Sequence, residues 1–182
     1  MKTFTIIGGV NGVGKSSLTG VLRSSMNDLG TVVDVDMITA KLGISALEGG
    51  KAAISVINDC IRKGVDFTQE TTLSGFRILR TVIKTRNRGY YIRLFYVCLD
   101  TLDESVKRIK NRVEKGGHDV PLDDVARRFR GRFDALNRIL PYCNEAVFFD
   151  NVNGFVQVAE YRNGVIVPHV DNRPSWLTEL LT

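Results

Sequence analysis

Gly9-Val10-Asn11-Gly12-Val13-Gly14-Lys15-Ser16 is the stretch that decides how this chain is read. It fits the pattern Gly-x-x-x-x-Gly-Lys-Ser/Thr. Glycines in that pattern let the backbone curl until successive N–H groups point at a phosphate. The lysine then reaches the distal phosphates as a point charge, and the serine hydroxyl takes a place on Mg²⁺. Before the loop comes Thr3–Gly8, a short apolar β-branched run that reads as a buried strand. After it, a helical pattern runs from Lys15 to Leu29 and is stopped by Gly30. A strand, a glycine loop and a helix N-terminus in that order form the context a phosphate needs. The loop therefore points to a nucleoside triphosphate and Mg²⁺ as cofactors. Gly9, Asn11, Gly12, Val13, Gly14, Lys15, Ser16 and Ser17 are its nucleotide-binding residues, with Lys15 also catalytic and Ser16 the metal ligand. Ser17 serves the first helical turn.

Working outward, Thr31–Val35 is a second β-branched run, and Ser45–Lys63 has helical periodicity closed by Gly64. Val65–Gln69 reads as a strand and Phe76–Asn87 as a basic amphipathic helix. Tyr90–Leu99 is the strongest strand, and Leu102–Glu114 is helical. Lys115–Pro121 breaks the pattern, and Leu122–Leu140 reads as one helix. Ala146–Phe149 is a last core strand, Phe155–Val167 a hairpin around Asn163-Gly164, and the tail from Pro174 a short helix. Strands alternating with helices predict an α/β fold of three layers around a parallel five-stranded sheet. A helical lid over about residues 108–130 and a C-terminal β-hairpin complete a single domain over residues 1–182. Ligands of such folds sit at the carboxyl ends of the strands.

With 182 residues, 43% of them hydrophobic and 25% charged, the chain has an ordinary globular balance and length enough for a core. No apolar run approaches a membrane span, and MKTFTIIGG is too short and glycine-broken for a signal peptide. Cys60, Cys98 and Cys143 lie far apart and read as reduced core thiols, so a cytoplasmic protein without membrane attachment is expected. The net charge is +5, but it is regional. Residues 77–138 hold 16 Lys/Arg against 8 Asp/Glu, and the rest hold 9 against 12. Such a surplus complements phosphate, whether in a small molecule or a polymer.

Size and motif prune the nucleotide enzymes. No Asp-Asp or Asp-Glu ends a strand as motor ATPases require, and the guanine-reading Asn-Lys-x-Asp is absent. A small P-loop kinase remains, transferring phosphate to a small-molecule substrate. In such transfers positioning and charge stabilisation dominate. Arg108, Arg112, Arg127 and Arg128 flank the Gly116-Gly117 loop and can close over the phosphates. Arg112, Arg127 and Arg128 are the catalytic candidates and Arg108 a cofactor-binding one; the alternative for a charge run is a solvated helix face. His118 is read as structuring the loop. Asp36, just past the second strand, can orient the attacking hydroxyl and accept its proton, or else cap a helix over residues 37–42. Asp34 shares its side of the strand. Glu70 and Thr72, at the end of the third strand, can hold a magnesium water or a substrate hydroxyl, or else cap a turn.

The order of these blocks resembles the zeta-toxin-like family of small P-loop kinases, especially its short stand-alone bacterial members. It is carried by Gly8–Ser17, Glu70-Thr71-Thr72-Leu73-Ser74-Gly75, Arg108-x-x-x-Arg112-Val113, Gly116-Gly117-His118-Asp119-Val120-Pro121, Arg127-Arg128-Phe129 and Asp150-Asn151. The resemblance implies an adenylate-kinase-like core with ATP and Mg²⁺, and phosphorylation of the sugar 3′-hydroxyl of UDP-N-acetylglucosamine. It implies Asp36 as base, Glu70 and Thr72 as holders of the sugar nucleotide, Arg112 with Arg127 or Arg128 on phosphates, and Asn151 beside the adenine. An antitoxin protein is the partner such kinases imply. The chain departs from the family after Asp36, where the Arg and His-Pro of many such toxins are replaced by Met37-Ile38-Thr39-Ala40-Lys41.

Two other readings compete. A polynucleotide or RNA kinase would need aromatics stacking along a basic groove, and Phe76, Phe129 and Phe133 fall instead at core-like spacing, so nucleic acid ranks below a small molecule. A non-catalytic ATP-binding regulatory module would not need Asp36 or the lid arginines.

Overall fold

The computed structural model describes residues 1–117 and 119–182. The order is β1 (Thr3–Gly8), α1 (Lys15–Ser25), β2 (Thr31–Val33), α2 (Val35–Leu42), α3 (Ala46–Lys63), β3 (Phe67–Thr71), α4 (Phe76–Asn87), β4 (Tyr91–Cys98), α5 (Leu102–Glu114), α6 (Leu122–Arg130), α7 (Arg132–Asn137), β5 (Glu145–Asp150), β6 (Val156–Arg162), β7 (Val165–Pro168) and α8 (Ser175–Leu181). The strands form one sheet in the order β2-β3-β1-β4-β5-β6-β7.

Period-two alternation builds the layers. Phe4 and Ile6 of β1, with Leu94 and Tyr96 of β4, join the core made with α3, α4, α7 and α8. Ile7, Phe95 and Val97 face the other way, onto Leu18 and Leu22 of α1 and Phe129 of α6. Helices therefore cover both faces, and the shared edge of β1, β3 and β4 is left for ligands.

The sheet corrects one expectation. Five strands are parallel, but the sheet is mixed and seven-stranded, because the hairpin β6–β7 adds antiparallel to β5 instead of standing apart. β5 would otherwise be an open edge, and the hairpin moves that edge to the short β7. The hairpin turn is as expected: Asn163 and Gly164 have φ of +54° and +86°, the left-handed pair a tight two-residue turn demands.

Two helix boundaries also differ. α1 ends at Ser25, where Met26 turns extended, and not at Leu29. The expected helix Leu122–Leu140 breaks at Gly131 into α6 and α7, followed by a 3-10 turn over Leu140–Tyr142. The buried Arg132 accounts for the break. Its guanidinium lies 4.0 and 4.3 Å from the ring centres of Phe129 and Phe133, donates to the Phe129 carbonyl, and pairs with Glu179 of α8. Among the described residues no helix is long and apolar enough to cross a membrane.

Candidate active site

β1 and β3 run parallel with Gly8 level with Thr71, so the phosphate loop and the segment Thr72–Gly75 leave the sheet side by side. α2 opens beside them, and α5 and α6 bring lid residues across. These elements enclose a cleft of about 990 Å³, large enough for a nucleotide and a second small molecule.

The loop is held by close backbone approach. Gly9 and Gly12 have φ of +141° and +81°. A Cβ on Gly12 would lie 2.5 Å from the Ser105 carbonyl oxygen of α5, and one on Gly9 would overlap that of Val97. α1 starts at Gly14 with no side-chain cap and no acidic residue in its first turn. Its first N–H groups and its dipole therefore need an anion from outside, and the residues present fit a triphosphate.

Lys15 is half-buried by area, but its ammonium is enclosed and donates to the Val10 carbonyl at 3.0 Å. Burial lowers its pKa from 10.5 to about 8, although Glu70, Asp34 and Asp36 pull it upward; Arg112 adds to the lowering. Glu70 is buried at 7% exposure behind the loop. It accepts from Ser16 Oγ at 2.8 Å and Thr19 Oγ1 at 2.5 Å. Burial raises its pKa, while the two hydroxyls that donate to it lower it. The Ser16 hydroxyl and the Glu70 carboxylate are the hard oxygen donors that Mg²⁺ prefers. Among the described residues no group of three or more His, Cys, Asp or Glu is placed to hold a metal ion.

No family model matches the chain. An uncharacterized protein of Haemophilus influenzae is 29% identical over 126 residues, covering 66% of this chain and 88% of that protein. The crystal structure of AvrRxo1-ORF1:-ORF2 with ATP superposes with a TM-score of 0.72 at 16% identity, over 98% of this chain and 63% of that one. This chain thus spans less than two thirds of that neighbour. The PezAT chromosomal toxin-antitoxin system of Streptococcus pneumoniae superposes with a TM-score of 0.61 at 16% identity, over 86% of this chain and 71% of that one.

This chain has the fold of the zeta-toxin-like P-loop kinases.

In this zeta-toxin-like fold most of the residues read from sequence line one cleft. Asn11 is buried and accepts from Arg128 Nη1 at 2.9 Å, which ties α6 to the loop. Asn151 donates through Nδ2 to the Val13 carbonyl at 2.8 Å. Arg108 donates to the carbonyls of Asn151 and Val152, so it braces the strand-β5 exit against α5. Arg112 lines the cleft near enough for its charge to act on Lys15. Thr72 lines it too, its hydroxyl shared with Ser74 at 2.7 Å. Ser17 is exposed on the first turn of α1 at the same cleft.

The two aspartates part company. β2 ends at Val33, and Asp34 is the N-cap of α2, its Oδ1 accepting from the N–H of Asp36 at 2.9 Å and of Met37 at 3.4 Å. The cap expected for Asp36 is thus supplied by Asp34, and the two do not share a strand face. Asp36 stands exposed in the first turn of α2, lining the cleft. Arg127 lies apart from the others: it is 68% exposed, pairs with Asp124 at 2.7 Å and does not line the cleft. His118 falls outside the described residues.

The sequence reading assigned no role to four residues at this site. Thr19 gave no signal beyond its place one turn after Lys15. Gln69, Arg77 and Arg80 also line the cleft; the two arginines entered only through the charge count of residues 77–138.

Proposed function

We propose that the protein is an ATP-dependent kinase that transfers the γ-phosphate to a hydroxyl of a small acceptor. One observation carries this reading: a phosphate loop with its lysine, a carboxylate free of capping duty, and arginines from two lid helices all face a single cleft. Asp36, its backbone fixed by the Asp34 cap, is placed to orient the acceptor hydroxyl and take its proton. Lys15, Arg112 and Arg128 oppose the charge that spreads over the phosphoryl oxygens, and the Asn11–Arg128 bond ties closure of α6 to the loop. Mg²⁺, taken by Ser16 with Glu70 behind it, would supply further charge neutralisation at the phosphates. Arg108 and Asn151 hold the loop on which the adenine would rest. Arg127 is assigned to the lid's outer face.

The family resemblance supports the sugar 3′-hydroxyl of UDP-N-acetylglucosamine as the acceptor, with Glu70 and Thr72 on its side of the cleft. Glu70, closed in by two hydroxyls, acts through Ser16, which leaves Thr72 for direct contact. Two-protein complexes among the structural neighbours support an antitoxin as partner. The polymer-kinase reading keeps one of its three aromatics: Phe129 is buried in the core and Phe133 is packed on Arg132, but Phe76, expected at core-like spacing, is 66% exposed and lines the cleft.

Mass spectrometry of a metabolite extract incubated with ATP and Mg²⁺ tests the reading. One metabolite should gain a single phosphate with the intact protein and none with Lys15→Ala. No such gain, in the extract or in a panel of sugars, nucleosides and sugar nucleotides, would end the kinase assignment.

A further inference from the structure

A side chamber of about 280 Å³ opens between α3 and α4. Val35, Gln69, Arg77 and Arg80 line both it and the main cleft, so the two spaces meet at those residues. Its α3 wall is mostly apolar, with Ala53, Ile54, Ile57 and Ile61, and Asn58 there accepts from Lys84 Nζ of α4 at 2.7 Å.

Three features mark it as a ligand compartment and not a packing gap. First, Gln69 sits on the face of β3 where its neighbour Phe67 is core, yet Gln69 Oε1 is buried with no hydrogen-bond partner among the described residues. A native core rarely keeps such an atom unless something else satisfies it. Second, α4 begins at Gly75 with no side-chain cap and no acidic residue in its first turn. Third, that same end carries Arg77 and Arg80, three apart on one face, and neither pairs with a carboxylate among the described residues. Cations at a helix N-terminus are disfavoured by the dipole, and an anion reverses the sign of the whole arrangement.

We propose that this chamber is the distal half of the acceptor site. Its occupant is an amphiphilic anion: a phosphate held by Arg77, Arg80 and the start of α4, joined to a flat apolar ring that enters the chamber and donates an N–H or O–H to Gln69 Oε1. The inference rests on the kinase reading for the position of the reacting hydroxyl at Asp36, on the near side of the arginines.

Calorimetric titration tests it without turnover. The phosphate loop is first filled with a saturating non-hydrolysable ATP analogue and Mg²⁺. Para-hydroxyphenyl phosphate, phenyl phosphate and inorganic phosphate are then compared. Affinity should fall in that order, with the first in the low-millimolar range of a small fragment. Arg80→Gln should weaken all three about tenfold. Ala53→Leu, which fills part of the chamber, should weaken the two aryl phosphates and spare inorganic phosphate. Gln69→Leu should erase the gap between the two aryl phosphates while the protein melts no lower than the parent, a result that a merely structural glutamine would not give. Equal affinity for the three probes, or aryl binding unchanged in Ala53→Leu, overturns the chamber. If the ATP analogue itself does not bind, the kinase reading is what fails, and the same titrations in its absence still report on the chamber through Arg80→Gln and Ala53→Leu.

Discussion

Lys15 shows what a phosphate site costs before its ligand arrives. Its ammonium is charged at neutral pH inside an environment that lowers its pKa from 10.5 to about 8, with burial as the main cause. A base whose folded pKa is depressed destabilises the fold fully below that pKa, and the penalty fades as pH rises toward the unfolded value. The shift corresponds to about 3 kcal/mol at pH 7, partly offset by the bond to the Val10 carbonyl, worth about 1 kcal/mol. Lys15→Met should therefore make the nucleotide-free protein more stable by about 2 kcal/mol at pH 7 in chemical denaturation. The gap should shrink between pH 8 and 10, and a gap that stayed constant would exclude burial as its origin. The same residue shows which site features can be read from sequence. The loop was legible because its chemistry is local backbone plus one lysine. The choice between Arg127 and Arg128 was not, because neighbours on a helix point about 100° apart, and only packing of α6 decides which one meets Asn11.

Elements were legible where their ends are written in local chemistry. Ser45 and Glu48 form a capping box on α3, Thr101 and Glu104 another on α5, and Gly64 closes α3 in the left-handed conformation. Gly131 was passed over because a partner 47 residues away, Glu179, helps to hold the Arg132 that follows it. The edge that the hairpin joins was equally hidden, since turn chemistry fixes a hairpin but not its neighbour. The capping box of α5 also separates stability from function. Arg108 and Arg112 lie in the second and third turns, beyond the reach of fraying at the N-terminus. Thr101→Ala should thus cost about 1 kcal/mol of stability and leave ATP affinity within twofold in a binding titration. A larger loss of affinity would mean that the start of α5 positions the loop directly, through Ser105 behind Gly12.

On the scale of the molecule, the basic surplus divides into structural and site cations. Arg86 donates to the Tyr142 carbonyl at 2.9 Å, Arg93 pairs with Asp28, and Arg132 is buried. Arg77, Arg80, Arg108, Arg112 and Arg128 instead ring the cleft. What holds that ring in place includes the end of the chain. Trp176 of α8 is fully buried, its backbone N–H donates to Asp100 just after β4, and its indole Nε1 donates to Asp150 at the end of β5, both at 2.9 Å. Those two aspartates lead into α5 and into Asn151, so α8 braces the strand ends from which α5 and the Asn151 segment depart. We infer that residues 1–182 fold as one cooperative unit. Trp176→Ala should lower the stability of the whole molecule by about 3–5 kcal/mol, seen as one shifted transition by circular dichroism, with weaker ATP binding at temperatures where the variant is still folded. An unshifted main transition, with only the tail becoming sensitive to protease, would show instead that α8 is an appendage and that the strand ends keep the cleft in shape without it.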